Sequence, residues 1–177
     1  MSEIEIKDFQ EEVNEKGRIN INTCFQCNKC SAGCPVSYAM DYSPHALIRM
    51  IQMGMRKEVL ESSTIWICAS CETCSTRCPN EVDIARLMDT LRQISIEEKG
   101  KISEKNIKVF LDKFLSSIES YGRVHELGLI TSYKLNTWKF FEDALMGGKM
   151  LLRGKLSIFP HRIKGMKEIK ELFKKIK

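Results

Sequence analysis

Eight cysteines fall in two short runs, and their spacing sets the chemistry open to this chain. The first run is Cys24-Phe25-Gln26-Cys27-Asn28-Lys29-Cys30-Ser31-Ala32-Gly33-Cys34-Pro35, and the second is Cys68-Ala69-Ser70-Cys71-Glu72-Thr73-Cys74-Ser75-Thr76-Arg77-Cys78-Pro79. Each reads C-x2-C-x2-C-x3-C-P, the spacing of a run that binds a [4Fe–4S] cluster. A cubane cluster offers four iron corners, and each needs a thiolate. Three cysteines two residues apart can wrap a tight loop around three corners, while the local chain cannot easily turn back to the fourth. No cysteine lies outside the two runs, so none is left for a disulfide, a separate zinc site or a nucleophile. Zinc sites pair two C-x2-C units across a longer loop, a different pattern.

In bacterial-type two-cluster ferredoxins the fourth cysteine of each run ligates the other cluster. Carried over to this sequence, one cluster takes Cys24, Cys27, Cys30 and Cys78, and the second takes Cys68, Cys71, Cys74 and Cys34. The swap ties the runs together and makes two [4Fe–4S] clusters the core of the fold. The proline after each fourth cysteine fixes φ and donates no hydrogen bond, so it turns the chain away from the cluster. Because metal binding is also folding energy, the region from 20 to 95 is stabilised beyond what its apolar residues supply.

The elements around the runs read as helices. Ser43 is a good N-cap, Pro44 suits the first helical position, Leu47, Ile48 and Ile51 share a face, and Gly54 can end the helix. Arg56 to Leu60 fits a further short helix, and Trp66 and Ile67 lead into the second run, where they are placed to shield it from water. Asp83 can cap a helix carrying Ile84, Leu87, Met88, Leu91 and Ile94 and ending near Gly100. The second run lies a constant 44 residues after the first, so the arrangement reads as a structural duplication.

Before the first run, Ile4 and Ile6 are read as the start of a short strand, Phe9 and Val13 as one face of a short helix, and Arg18 to Asn22 as an extended entry. In the second half, Ser103 is read as an N-cap for a stripe of Ile107, Phe110, Leu111, Phe114, Leu115 and Ile118 ending near Gly122. Val124 to Thr131 reads as a loop or short turn. Tyr133 to Met146 reads as a helix with Trp138, Phe141 and Leu145 on one side, broken by Gly147-Gly148. Phe159-Pro160 stops the next segment, and Gly165 to Lys177 reads as a basic helix. The expected fold is therefore mainly α: an α-helical ferredoxin domain around two clusters, with a helical C-terminal extension. Its expected divisions are an acidic segment at 1–17, the two-cluster domain at 18–100 and a helical, basic docking region at 101–177.

The formal net charge of +5 falls to about +1 once eight thiolates and two oxidised cluster cores are counted. Residues 149–177 hold ten Lys and Arg against Glu168 and Glu171. Such a tail fits nucleic acid, an anionic membrane surface or an acidic protein, and its simplest reading is a solvated helix face. No run of 18 uncharged apolar residues exists, so no membrane span is expected. Reduced cysteines and an acidic N-terminus without an apolar signal region point to the cytoplasm. G-x-G-x-x-G and P-loop motifs are absent, which leaves flavin, nicotinamide and ATP sites unsupported. His45, His125 and His161 read as surface or partly packed residues. Complete four-cysteine sets argue against an open iron site, and two adjacent clusters argue for an electron relay, with no catalytic residue in this chain.

The segment Tyr42-Ser43-Pro44-His45-Ala46-Leu47-Ile48-Arg49-Met50-Ile51-Gln52-Met53-Gly54, set between the runs, resembles the C subunit of heterodisulfide reductase from methanogens. So do Ile65-Trp66-Ile67-Cys68, Gly122-Arg123-Val124-His125-Glu126-Leu127-Gly128-Leu129 and Phe159-Pro160-His161-Arg162-Ile163-Lys164-Gly165. The resemblance implies a non-catalytic electron-transfer subunit of a multi-subunit oxidoreductase. Its partners would be a flavin- and iron–sulfur-containing A subunit and a catalytic B subunit. The B subunit holds noncubane clusters and reduces the CoM-S-S-CoB heterodisulfide in methanogenesis. A hydrogenase or formate dehydrogenase module would join through the A subunit. The alternatives are a relay subunit of a succinate/fumarate, lactate or glycerol-3-phosphate oxidoreductase and, more remotely, an iron–sulfur nucleic-acid-binding protein. No nucleic-acid reading module is present, so nucleic acid is not an expected partner.

Overall fold

The computed structural model describes residues 3–137, 144–155, 157 and 159–176, and all regular structure among them is helical. The chain divides into two units, Met1–Glu104 and Lys105–Lys177.

The first unit contains α1 (Glu3–Gly17), α2 (Lys29–Ala32), α3 (Pro44–Gln52), α4 (Arg56–Leu60), α5 (Thr64–Ile67), α6 (Thr73–Arg77) and α7 (Ile84–Glu97). The core lies between α1, α3 and α7. Phe9 and Val13 of α1, Leu47, Ile48 and Ile51 of α3, and Leu87, Met88, Leu91 and Ile94 of α7 are at most 1% exposed. Each such side chain contributes about 1.5–3 kcal/mol by leaving water. Arg56 ties α4 to this core. Its guanidinium stands 4.8 Å from the Phe9 ring centroid and pairs with Glu12 at 2.7 Å and with Glu98.

Residues 3–17 form one helix, which overturns the strand expected at Ile4 and Ile6. Two β-branched residues do not outweigh a segment of Glu, Lys and Gln, all good helix formers, anchored by Phe9 and Val13 one turn apart. Gly17 allows a close approach, since a Cβ there would lie 2.9 Å from Thr90 Oγ1 of α7. The extended entry at 18–22 is also absent. Arg18 takes a left-handed φ of 49°, and the Ile19 amide bonds the Asn14 carbonyl at 3.1 Å. Ile21–Thr23 is a 3-10 turn whose Asn22 amide bonds Asn20 Oδ1 at 3.1 Å. The Asn20 side chain, read as part of an alternating strand pattern, instead bonds the backbone and turns it.

Ser43 precedes α3 with Pro44 at its first position, but its hydroxyl lies 3.0 Å from the His45 ring and makes no cap bond to the helix. Asp83 caps α7 as expected, accepting from the Arg86 amide at 3.0 Å. After α3, Gly54 has φ 71°. Its amide bonds the Ile51 carbonyl at 2.9 Å, and the Met55 amide bonds the Met50 carbonyl at 3.0 Å. That is a Schellman stop, which glycine reaches without the Cβ penalty.

The second unit contains α8 (Lys105–Tyr121), α9 (Glu126–Thr137), α10 (Ala144–Leu152) and α11 (Met166–Ile176). Gly122, at φ 76°, ends α8, and α9 returns alongside it, with Tyr133 edge-on to Phe110 at 5.9 Å. A Cβ on Gly122 would lie 3.0 Å from Met166 Sδ, so the glycine admits the start of α11. Three expectations fail here. Helix α8 starts at Lys105, and Ser103 Oγ is buried without a partner among the described residues. Most of Val124–Thr131 is helical, because the His125 amide is held by Ser117 Oγ at 3.0 Å and its ring accepts from the Gly128 amide at 3.1 Å. That ring stands in for a helix cap. Finally, α10 runs through Gly147-Gly148, whose cost of about 1 kcal/mol each is carried by flanking Ala, Leu, Met and Lys. Trp138 and Phe141 lie outside the described residues.

Candidate metal centre

The two cysteine runs fold alike. In each, the residue before the second cysteine and the residue after it are left-handed: Gln26 at φ 56° and Asn28 at φ 64°, then Ser70 at φ 48° and Glu72 at φ 62°. Such conformations cost about 1–2 kcal/mol outside glycine. Here they curl the chain so that successive cysteines line one cavity. Each curl leads into a one-turn helix, α2 or α6, bearing the third cysteine.

Two cavities result. One is lined by Cys24, Cys27, Cys30 and Cys78, with Phe25, His45, Ile48, Val82 and Ile84 among its walls, and encloses about 350 Å³ including its mouth. The other is lined by Cys34, Cys68, Cys71 and Cys74, with Val36, Met40, Ile84, Ala85 and Met88, and encloses about 360 Å³. Each cavity thus gathers three cysteines of one run and the fourth of the other. Ile84, buried at the start of α7, lines both, so the two sites share a wall.

Four sulfurs, apolar walls and no carboxylate in either lining suit an iron–sulfur cluster, since soft thiolates select it over hard cations. Among the described residues no three His, Cys, Asp or Glu converge on one point closely enough to hold a single ion. A cluster sets its thiolates farther apart than one ion does. In both runs the second cysteine, Cys27 or Cys71, is exposed, while Cys30 is buried.

Burial pushes the metal-free Cys74 thiol up to about 11 and raises Cys30 and Cys68 as well. Hydrogen bonding from Thr73 lowers Cys71. Backbone amides also reach sulfur, Gln26 to Cys24 Sγ at 3.5 Å and Val82 to Cys78 Sγ at 3.3 Å. Such donors suit the negatively charged sulfurs of a bound cluster.

A serine after the third cysteine ties each run to the next helix. Ser31 Oγ accepts from the His45 amide of α3 at 3.0 Å and lies 2.8 Å from the His45 ring. Ser75 Oγ accepts from the Ile84 and Ala85 amides of α7 at 3.1 and 3.3 Å, and donates to Asp83 at 3.1 Å. The motif C-S-x-x-C-P repeats in both runs and was the available signal for this role. His45 is the one histidine that lines a cysteine cavity. His125 serves α9, and His161 is exposed. Trp66 is buried at 3% exposure but lines neither cavity, so the shielding expected of it falls to Val36, Met40 and Met88.

A helical unit with two four-cysteine sites sharing a wall is an iron–sulfur electron-transfer protein. The model of the 4Fe-4S dicluster domain matches residues 6–83, and the cofactors are two [4Fe–4S] clusters. The chain is 30% identical over 131 residues to the CoB–CoM heterodisulfide reductase iron-sulfur C-subunit 2 of Methanocaldococcus jannaschii, covering 68% of this chain and 69% of that one. It is 31% identical over 86 residues to the C subunit of H2:CoB-CoM heterodisulfide,ferredoxin reductase of Methanothermobacter marburgensis, covering 49% and 46%. Against the C subunit of ferredoxin:CoB-CoM heterodisulfide reductase of Methanosarcina acetivorans the identity is 36% over 86 residues, covering 49% and 34%. The chain belongs to the family of heterodisulfide reductase C subunits. Apart from the Methanocaldococcus protein, it spans half or less of the length of these relatives. No described helix is long and apolar enough to cross a membrane.

Proposed function

We propose that the chain is the electron-relay subunit of a heterodisulfide reductase complex. It passes electrons from a flavin-containing A subunit to a catalytic B subunit that reduces the CoM-S-S-CoB heterodisulfide. The observation that carries this reading is the pair of four-cysteine cavities meeting at Ile84. Two one-electron carriers side by side make a path, whereas a structural role needs only one. Cys24, Cys27, Cys30 and Cys78 hold one cluster, and Cys68, Cys71, Cys74 and Cys34 hold the other. All eight cysteines of the chain are then used, so disulfide reduction belongs to a partner. A hydrogenase or formate dehydrogenase module joins through the A subunit. The name of a relative from Methanococcus maripaludis, the C2 subunit of H2/formate:CoB-CoM heterodisulfide,ferredoxin reductase, supports that donor side. Residues 101–177 serve as the docking region; Phe110, Leu115, Ile130 and Leu135 of the second unit are exposed and available for contact with another protein of the complex.

The test is anaerobic purification of the tagged chain from its own cells, with analysis of iron, sulfide and every copurifying protein. About eight iron per chain and a copurifying subunit with noncubane clusters, reducible through the complex, are expected. A copurifying flavoprotein dehydrogenase without that subunit would assign the relay to a succinate, lactate or glycerol-3-phosphate complex instead.

A further inference from the structure

The two halves of the cluster unit differ by one half-buried charge at a position they otherwise share. Gln52 is the ninth residue of α3, and Arg92 is the ninth residue of α7. Gln52 Nε2 donates to the Ile21 carbonyl at 2.9 Å, three residues before the first run. Arg92 Nε donates to the Ile65 carbonyl at 2.5 Å, three residues before the second. Ile21 and Ile65 are 44 residues apart, as the runs are. The same loop anchor is therefore a neutral amide in the first half and a guanidinium in the second.

Arg92 also reaches further into its loop. It donates to the Cys68 carbonyl at 2.5 Å and to Ser70 Oγ at 3.4 Å, and its side chain is 15% exposed. The charges one turn earlier differ as well. Arg49 bonds Gln52 Oε1 at 3.3 Å, and Asp89 pairs with Arg92 at 2.7 Å. Arg49 is exposed and Asp89 is 53% exposed, as are Lys29 and Glu72 beside the runs, so water and salt screen all four. Arg92 is screened least.

We propose that Arg92 is a tuning residue that raises the reduction potential of the site formed by Cys68, Cys71, Cys74 and Cys34, and leaves the other site alone. Reduction adds one electron and no proton to the site, and a nearby cation held out of water favours that added negative charge. Moving an electron between the two sites oxidises one by one electron and reduces the other by one, so no further reactant is needed. The effect is a built-in pull toward the second site. The proposal rests on the ligand sets given above.

The experiment is a redox titration followed by EPR on the anaerobic, cluster-loaded full chain, with iron counted for every variant. Arg92→Gln is expected to lower one of the two potentials, on the order of tenfold in the reduced-to-oxidised ratio at fixed ambient potential, which is 59 mV for a one-electron couple. Arg92→Lys, which keeps the charge but loses the fork, is expected to restore most of it. Gln52→Arg is expected to raise the other potential. If Arg92→Gln moves neither potential, moves both equally, or is matched by Arg92→Lys, charge tuning is wrong and Arg92 only anchors the loop. If Arg92→Gln loses a cluster, Gln52→Arg alone decides: a rise in one potential supports the proposal and no change overturns it. Wild-type chain with about four iron would instead break the two-cluster reading, a different failure.

Discussion

Arg77 packs its side chain against Gly33, and the two occupy equivalent places, each just before the fourth cysteine of its run. A Cβ built on Gly33 would lie 2.9 Å from Arg77 Cζ and 3.0 Å from its Cδ. The two runs therefore meet where each hands its fourth cysteine to the other's cavity. Gly33→Ala should push the exposed, flexible end of Arg77 aside and cost no more than about 0.5 kcal/mol, seen as a slightly lower melting temperature of the loaded chain. In an Arg77→Ala background the same change should cost much less. Equal costs in both backgrounds would show that the contact is not the cause.

Ser75 holds two amides of the first turn of α7. Removing its hydroxyl leaves those donors with only Asp83 nearby, and Asp83 already accepts from Arg86. Ser75→Ala should therefore destabilise the unit by about 0.5–2 kcal/mol, the range for a lost cap. Ser75→Thr keeps an oxygen and should lose less. Denaturant melts of the loaded variants read the difference. Ser31→Ala should behave alike at α3, since the His45 amide loses its acceptor.

The helices that carry a strong periodic face were legible in the sequence. Leu47, Ile48 and Ile51 are all buried as expected, and so are Ile84, Leu87, Met88, Leu91 and Ile94 of α7. The cysteine runs were legible too, because their spacing is that of a cluster-binding loop. How they divide between two clusters was carried over from two-cluster ferredoxins and is what the Cys34 and Cys78 variants test. Ile4 and Ile6, Asn20 and Asn22, and Val124 to Thr131 were misjudged for one reason. Their local pattern is short, and a contact made elsewhere decides the outcome: Phe9 and Val13 in the core, Asn14 Oδ1 under the Ile21 amide at 3.0 Å, Ser117 under the His125 amide. The Gln52–Arg92 correspondence was hidden because those residues are 40 apart while the runs are 44 apart. In-register comparison of the two copies skips it.

The metal-free protein should respond to alkali in two opposite ways. The ordinary value for Cys74 is 9.0, and burial in the folded chain moves it to about 11. A raised thiol pKa means that the fold favours the neutral form. That contribution is full below pH 9 and is lost as pH rises through about 11, so the melting temperature of the metal-free chain should fall across this window. Cluster assembly has the other sign, because it needs thiolates and releases their protons. Reconstitution with iron and sulfide should therefore gain as pH rises from 7 toward 9. A metal-free chain whose melting is flat from pH 9 to 11 would show that Cys74 is not buried as a neutral thiol.

Cys34 separates crossed from uncrossed ligation. It belongs to the first run, yet it lines the cavity of Cys68, Cys71 and Cys74, while Cys78 of the second run lines the cavity of Cys24, Cys27 and Cys30. Cys34→Ser should therefore damage the cluster whose potential responds to Arg92→Gln, and Cys78→Ser the one that responds to Gln52→Arg. Serine removes a soft thiolate but fills the same space, so apolar packing around Ile84 should survive and the other cluster should stay. The expected readout is a single EPR signal and about four iron per chain in each variant, with a different signal kept in each. If Cys34→Ser instead removes the signal that Cys78→Ser was expected to remove, each run keeps its own fourth cysteine. The shared wall at Ile84 would then separate two self-contained loops.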